Sequence, residues 1–425
     1  MKRKLASAIV IAGMMVSVAA CGGNDGNDSK DAGPSSWKGQ TLTVWTMDGS
    51  APPQWSKDVQ AAFEKKTGAK LKFEIQKWDG IQQKITTALS EDTPPDVLEV
   101  GNTQTPAYAS TGGLADLGDL KQSIGADWTA SVSKSSVYDG KQYAAPWYFA
   151  NRVVIYNKKI WAKAGINYTP KTRDEFLKDL DTIGKKTDAE PIYLPGQNWY
   201  FLDGLIVGQG GDLVKKQGDK YVSNLADPKV AAAMEIYKKY AAYSKAPKDK
   251  DEATPQQATV FAKGKTGAFI GMGWEAATAI QANKSIEKDL GYFTIPGATA
   301  DKPEGVFLGG SNLAVAQNSK KQSLAKEFLK IALSDQYEGE LAKLSGVIPN
   351  KTSLESNLKG NAAAEAAAPG AAVGGTTPLI PEWAAVENTP NPIKSYMTAV
   401  LNGKAPAAAA KDVEGEINQR LAQQN

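Results

Sequence analysis

The sequence predicts an α/β fold with more than one domain, and three observations predict it. Segments with the two-residue alternation of strands are interleaved with segments of helical periodicity, which argues for a layered architecture with largely parallel pairing. The 425 residues are enough for two or three domains. Hydrophobic residues make up 42% and charged residues 22%, a balance that supports a large buried core.

The elements follow in order. Residues 41–46 alternate as a strand. Trp55, Val59 and Phe63 recur every four residues, so they share a helix face, and Gly68 is a stop signal. Residues 71–75 alternate again, residues 82–89 read as a helix, and Pro94-Pro95-Asp96 leads into a short apolar strand at 97–100. A second set begins near Tyr143, with a strand at 153–156. Thr172 and Glu175 have capping-box spacing before Phe176, Leu177, Leu180 and Ile183. Asp227-Pro228 opens a helix with Val230, Met234 and Tyr237 on one side. Residues 245–257 are polar and predict an exposed loop. Residues 267–271 predict a buried strand, and 324–333 a strong helix. In the Ala/Gly-rich run 361–375 the alanines could extend a helix, but Pro369 and the glycines after it predict a surface loop beyond that point. No internal repeat is evident.

Composition excludes several chemistries. The chain has no His and a single Cys, which removes Ser-His-Asp and Cys-His catalysis, His-ligated zinc, an internal disulfide and a Cys-based metal cage. Neither a metal nor a cofactor is expected. The formal net charge of +3 comes from Lys2, Arg3 and Lys4; without them acidic and basic residues balance, so no basic field for nucleic acid remains. Gly264-Lys265-Thr266 ends like a phosphate loop, but Thr259 stands where the earlier glycine is required. Gly271-Met272-Gly273-Trp274-Glu275-Ala276 fits a dinucleotide pattern, but Glu275 would set a carboxylate against a pyrophosphate.

The amino terminus reads as a targeting segment. A basic head at 1–4 precedes a run of apolar and small residues at 5–20, shorter than the roughly 20 residues that span a bilayer. Val18-Ala19-Ala20-Cys21 resembles the bacterial lipoprotein cleavage motif, which implies a signal peptide at 1–20 and a lipid on Cys21. Residues 21–36 then form a Gly/Asn/Asp/Ser-rich tether. Replacing Cys21 by Ala is expected to release the protein into the medium, as fractionation and immunoblotting would show; continued membrane association would contradict lipidation.

The tryptophans suggest the ligand. Trp45, Trp78, Trp147, Trp199, Trp274 and Trp383 lie at predicted strand ends or among Gly, Pro, Asn and charged residues. A flat apolar ring beside hydrogen-bonding groups suits a sugar, whose C–H face stacks while its hydroxyls pair. Packing in a core accounts for any one of these rings equally well. Paired carboxylates also permit a glycosidase, but among 46 acidic residues no pair stands out.

Several segments resemble the extracellular solute-binding proteins of carbohydrate ABC importers. They include residues 41–46, Thr93-Pro94-Pro95-Asp96-Val97, residues 140–147 and 155–165, residues 261–269 before Trp274, Gly309-Gly310-Ser311-Asn312, residues 325–329, and Gly346-Val347-Ile348-Pro349-Asn350. Residues 76–84, 101–108 and 193–200 look particularly like the branch of that family that binds N,N′-diacetylchitobiose. The resemblance implies a two-lobed, periplasmic-binding-protein-like α/β fold, with lobes discontinuous in sequence and joined by a hinge. The first lobe would be 37–150 plus 309–349, and the second 151–308 plus 350–425. It implies a non-catalytic, monomeric protein, lipid-anchored on the outer face of the cytoplasmic membrane, that delivers a neutral oligosaccharide to permease subunits. Chitobiose is favoured, with a maltose- or cellobiose-type sugar or a secreted glycoside hydrolase as alternatives.

By position in the family pattern, Asp48, Trp78, Asn102, Gln104, Ser311 and Asn312 of the first lobe would bind ligand, with Asn151 and Arg152 at the hinge. The second lobe would add Trp199, Tyr200, Trp274, Glu275 and Trp383. Trp199, Trp274 and Trp383 would be stacking platforms. Asp48 and Glu275 would accept bonds from hydroxyls, and Asn102, Gln104 and Asn151 would serve an acetamido group. Arg152 is a candidate for pairing with a carboxylate instead.

Overall fold

The computed structural model describes residues 37–423, so the basic head, the apolar segment, Cys21 and the tether lie outside the described residues. Order begins with β1 (Thr41–Met47), α1 (Pro53–Thr67), β2 (Lys70–Gln76), α2 (Ile81–Leu89) and β3 (Val97–Gly101). As its spacing predicts, α1 buries Trp55, Val59 and Phe63, and it stops at Gly68, whose φ of 70° suits a residue without Cβ. The Trp55 indole N–H donates to the Tyr337 carbonyl at 2.9 Å, fixing α1 to a helix far along the chain.

β2, β1 and β3 pair in parallel, with α1 and α2 as crossovers. The rest of the six-stranded sheet is antiparallel: Gly309–Val315 lies against β3, Ala144–Ala150 against Gly309–Val315, and Ile348–Pro349 on the edge. The sheet is therefore mixed rather than largely parallel. The reason is the route of the chain, which reaches these strands after excursions through other parts of the molecule instead of by a helix laid across the sheet.

The second sheet has three antiparallel strands, with Arg152–Asn157 between Ala268–Met272 and Leu290–Phe293. Helices Arg173–Lys186, Trp199–Gly208, Pro228–Ala241, Pro392–Leu401 and Pro406–Leu421 contribute to one hydrophobic core with it. Phe176, Leu180 and Ile183 are buried there, and the Thr172 hydroxyl accepts the Glu175 N–H at 3.2 Å. The Glu175 carboxylate accepts from the Lys171 N–H instead of closing the capping box on Thr172. Asp227 caps its helix through the Lys229 N–H at 2.8 Å.

One residue, Asn151, separates a strand of the six-stranded sheet from a strand of the three-stranded one. Its amide donates to the Ala367 carbonyl at 3.1 Å. Asn350, just beyond the edge strand, is fully buried and donates to the Pro146 carbonyl at 2.7 Å.

The alanines before Pro369 do form a helix, which runs two residues past the proline before the loop begins. Residues Ala362–Ala371 form a helix with Pro369 inside it, opened by Asn361, whose side chain accepts the Ala364 N–H. Alanine propensity and a good cap carry the helix through the proline, which sits near its end. Its middle is tied down from outside: the carbonyls of Ala366 and Ala367 accept bonds from Thr294 and Asn151.

Helix Trp199–Gly208 touches the segment at 304–306 backbone to backbone. A Cβ added at Gly204 would sit 2.7 Å from Val306 Cα, and one added at Gly305 would sit 2.4 Å from the Gly208 nitrogen. Only glycine fits at such an approach.

Candidate ligand-binding site

The parallel strands β1, β2 and β3 end on one side of the six-stranded sheet, and the loops beyond them carry Asp48, Trp78 and Asn102. The strand pairing brings Tyr148–Ala150 and Gly309–Ser311 to the same side. In α/β sheets this is where loops leave a crevice for ligands. In the three-stranded sheet Arg152 pairs with Met272, from which Gly273, Trp274 and Glu275 continue. Asn151 joins the two edges.

Among the expected residues, two aromatic rings are open. Trp274 is 52% exposed, and Trp78 is 45% exposed with its ring near Gly101. Asp48 is exposed and paired with Lys77 at 2.5 Å. Gln104 is part-buried and accepts from the Tyr108 hydroxyl at 3.1 Å. Tyr200 stacks on Phe307 with centroids 4.4 Å apart and an 18° tilt, while the Arg152 guanidinium lies 5.5 Å from its ring centre.

Other expected contacts are turned inward. Trp383 is fully buried, so its ring faces protein; its indole N–H donates to Glu387 at 2.9 Å. Trp199 is also buried, 3.9 Å from the Tyr200 ring and 6.5 Å from that of Trp383. Glu275 is buried and accepts from Gln257 and from the Met272 N–H at 2.7 Å. Its two oxygens are thus engaged within the protein, and burial raises its carboxyl to about 7. Asn102 donates to the Leu308 carbonyl at 2.8 Å. Ser311 donates to Glu99 at 2.6 Å, and Asn312 donates to Thr105 and Ser135. These residues hold loops in place. Ser311 and Asn312 are neighbours on a strand covered on both faces, so both are buried, whereas Trp199, Glu275 and Trp383 open helices whose first turns pack into the core. Arg152 pairs with Glu252 at 2.5 Å, so its charge is met by a carboxylate.

Sequence reasoning missed four groups. Glu387 accepts from Thr103, in the loop after β3, at 2.8 Å and from Trp383, so it links the larger sheet to the helices of the smaller one. Burial raises its carboxyl to about 7. Asp203 is 3% exposed and has no hydrogen-bond partner for Oδ2; burial, then the charges of Glu387 and Asp212, raise it to about 8. Thr377 is buried beside Glu387 and directs its hydroxyl at that carboxylate. Glu99 accepts from Met47 N–H, Ser50, Ser311 and Tyr148, and burial raises its pKa nonetheless. Two of these had a legible signal: Asp203 is the single charge in the helix WYFLDGLIVG, and Glu99 the single charge in the strand VLEVG. Glu387 had none.

Chemically, the arrangement offers open rings for stacking, part-buried oxygen acceptors and one guanidinium. Among the described residues no cluster of three or more acidic, Cys or His side chains is placed to hold a metal.

Comparisons bear on this geometry. The family described as "Bacterial extracellular solute-binding protein" matches residues 48–339. The diacetylchitobiose binding protein DasA of Streptomyces coelicolor is 75% identical over 424 residues, covering 100% of both chains. Among solved structures, the GacH receptor of Streptomyces glaucescens, determined unliganded and with acarbose, superposes with a TM-score of 0.77. It is 23% identical, covering 91% of this chain and 100% of that one. The sugar-binding protein MalE of Xanthomonas citri superposes with a TM-score of 0.78 at 21% identity, covering 90% and 98%. At such identities these two speak to the fold alone.

Proposed function

We propose, from the premise that this chain belongs to the bacterial extracellular solute-binding proteins, that it captures N,N′-diacetylchitobiose outside the cell and delivers it to an ABC importer. It is a binding protein rather than an enzyme, and it takes a sugar. The observation that carries the choice of sugar is the 75% identity, over the whole chain, to a protein that binds diacetylchitobiose.

The lobes are those of the two sheets, divided at Asn151, after Leu308 and at Asn350. These crossings form a hinge that bends without letting the halves part. Trp274 and Trp78 stack on the sugar rings from opposite lobes. Gln104, Asp48, Arg152 and Glu387 face its hydroxyl and acetamido groups. Trp383, Glu275, Asn102, Asn151, Trp199, Ser311 and Asn312 hold those groups in place. The permease prefers the closed form, so binding is communicated by a shift of population. The protein acts as a monomer held to the outer face of the membrane by the lipid on Cys21.

Isothermal titration tests this. Diacetylchitobiose is expected to bind with a Kd of about 1 μM or tighter, roughly −8 kcal/mol, and more tightly than maltose or cellobiose. A preference for a disaccharide without acetamido groups would refute the assignment. Release of monosaccharide during prolonged incubation would refute the non-catalytic role.

A further inference from the structure

A side-chain hydrogen bond joins the two halves beside the proposed site. The Thr103 hydroxyl, in the loop after β3, donates to Glu387 Oε2 at 2.8 Å. Glu387 ends helix Trp383–Glu387, which packs on Pro406–Leu421 within the core of the three-stranded sheet. Thr103 is 6% exposed, so water is largely kept from the bond. The other carboxylate oxygen, Oε1, accepts from the Trp383 indole N–H at 2.9 Å, which fixes the acceptor from within its own helix.

The donor is fixed as firmly. Before it, the Asn102 N–H donates to the Gly310 carbonyl at 3.0 Å, and the Asn102 amide to the Leu308 carbonyl at 2.8 Å. After it, the Thr105 hydroxyl donates to the Gly101 carbonyl at 3.0 Å and accepts from Asn312 at 2.9 Å. The Leu308 N–H meanwhile donates to the Gly375 carbonyl at 2.7 Å. At Leu308 the chain is therefore held by one half at its carbonyl and by the other at its N–H. Thr103 and Glu387 are each built into a different half, with this crossing beside them. A hydrogen bond is lost once donor and acceptor part beyond about 3.5 Å. Rotation about the crossing that opens the cleft would break this bond and leave each half intact.

We propose that Thr103 is a positioning residue for sugar capture: its bond to Glu387 is made only in the closed form and sets how readily the two halves close. The inference rests on the two-lobed reading under the proposed function. Thr103 acts without touching the sugar. A bond confined to the closed form raises the population of that form, so its loss weakens every sugar by one common factor. A contact with sugar would instead change the preference among sugars. The factor is about tenfold, the size expected when a buried carboxylate loses one donor.

The test uses the full-length protein at pH 8, above the value of about 7 to which burial raises Glu387, so that the acceptor is charged. Thr103→Val keeps the shape and removes the donor, whereas Thr103→Ser keeps the donor; thermal melts check that both fold. Titration calorimetry and stopped-flow release are measured with diacetylchitobiose and triacetylchitotriose. Thr103→Val is expected to weaken both about tenfold through faster release, with the ratio between them changed less than about twofold. Thr103→Ser is expected to stay within about threefold of the wild type. In the sugar-free proteins, hydrogen exchange at 101–105 and 383–388 should be at least about threefold faster in Thr103→Val and unchanged in helix Arg173–Lys186. Unchanged affinity, tighter binding, a shifted ratio between the sugars or unchanged exchange would each overturn the role of Thr103. If the wild type binds neither sugar, the proposed function falls, and the exchange data decide the Thr103–Glu387 contact by themselves.

Discussion

Trp383→Ala is expected to lower the stability of the protein by about 3–5 kcal/mol, the range for removing a fully buried large aromatic side chain. Its ring is covered on all sides, and it belongs to the core shared by Trp199, Phe201, Tyr237 and the carboxyl-terminal helices. The substitution also takes from Glu387 the indole N–H that donates at 2.9 Å. Urea unfolding followed by tryptophan fluorescence and by circular dichroism would show a lower midpoint with an unchanged slope. Trp274→Ala makes the contrast. With 52% of its surface open, Trp274 contributes little to the core. Its loss should leave the midpoint within about 0.5 kcal/mol and weaken sugar binding by about 1–3 kcal/mol. A midpoint unmoved by Trp383→Ala, or a sugar affinity unmoved by Trp274→Ala, would show that the two rings have been assigned the wrong way round.

The second large effect is on pH. Asp203 titrates near 8 when folded against an ordinary 3.8, and Glu275 and Glu387 near 7 against 4.5. The folded chain therefore keeps protons on these groups where the unfolded chain has lost them. Stability linked to them is greatest below the ordinary carboxylate range and is lost as pH rises from about 4 to 8. For Asp203 alone the loss has a ceiling of about 6 kcal/mol. Asp203→Asn removes the charge while keeping the shape. The variant should thus lose less stability than the wild type between pH 5 and pH 8.5, and be the more stable of the two at the upper end. Parallel slopes for the two proteins would refute the shift.

Much of the fold was legible because local pattern and tertiary demand agree. The four-residue spacing of Trp55, Val59 and Phe63 is also the face that meets the sheet, and Gly68 stops the helix by a backbone angle of its own. Pairing beyond β3 was less legible. Nothing within residues 144–150 says that their neighbour lies at 309–315, more than 150 residues on. Pro369 marked the end of its helix to within two residues, but the bonds that secure that helix come from Thr294 and Asn151, which no local signal shows. The site divides likewise. Tryptophan beside polar residues is common to Trp274 and Trp383, but their burial differs because the helix carrying Trp383 packs against Pro406–Leu421, which no nearby residue announces. Glu387 stood out among 46 acidic residues only once Thr103, 284 positions away, was found against it.

The glycine contacts between helix Trp199–Gly208 and the segment at 304–306 have a mechanical consequence. With no side chain as a cushion, a tilt of the helix toward that segment would press backbone against backbone. Tyr200 and Asp203 are thus mounted on a stiff lever whose other arm leads, three residues on, into Gly309 of the six-stranded sheet. Methyl groups added at Gly204 and Gly305 would wedge the helix and the segment apart and so displace both Tyr200 and the start of that strand.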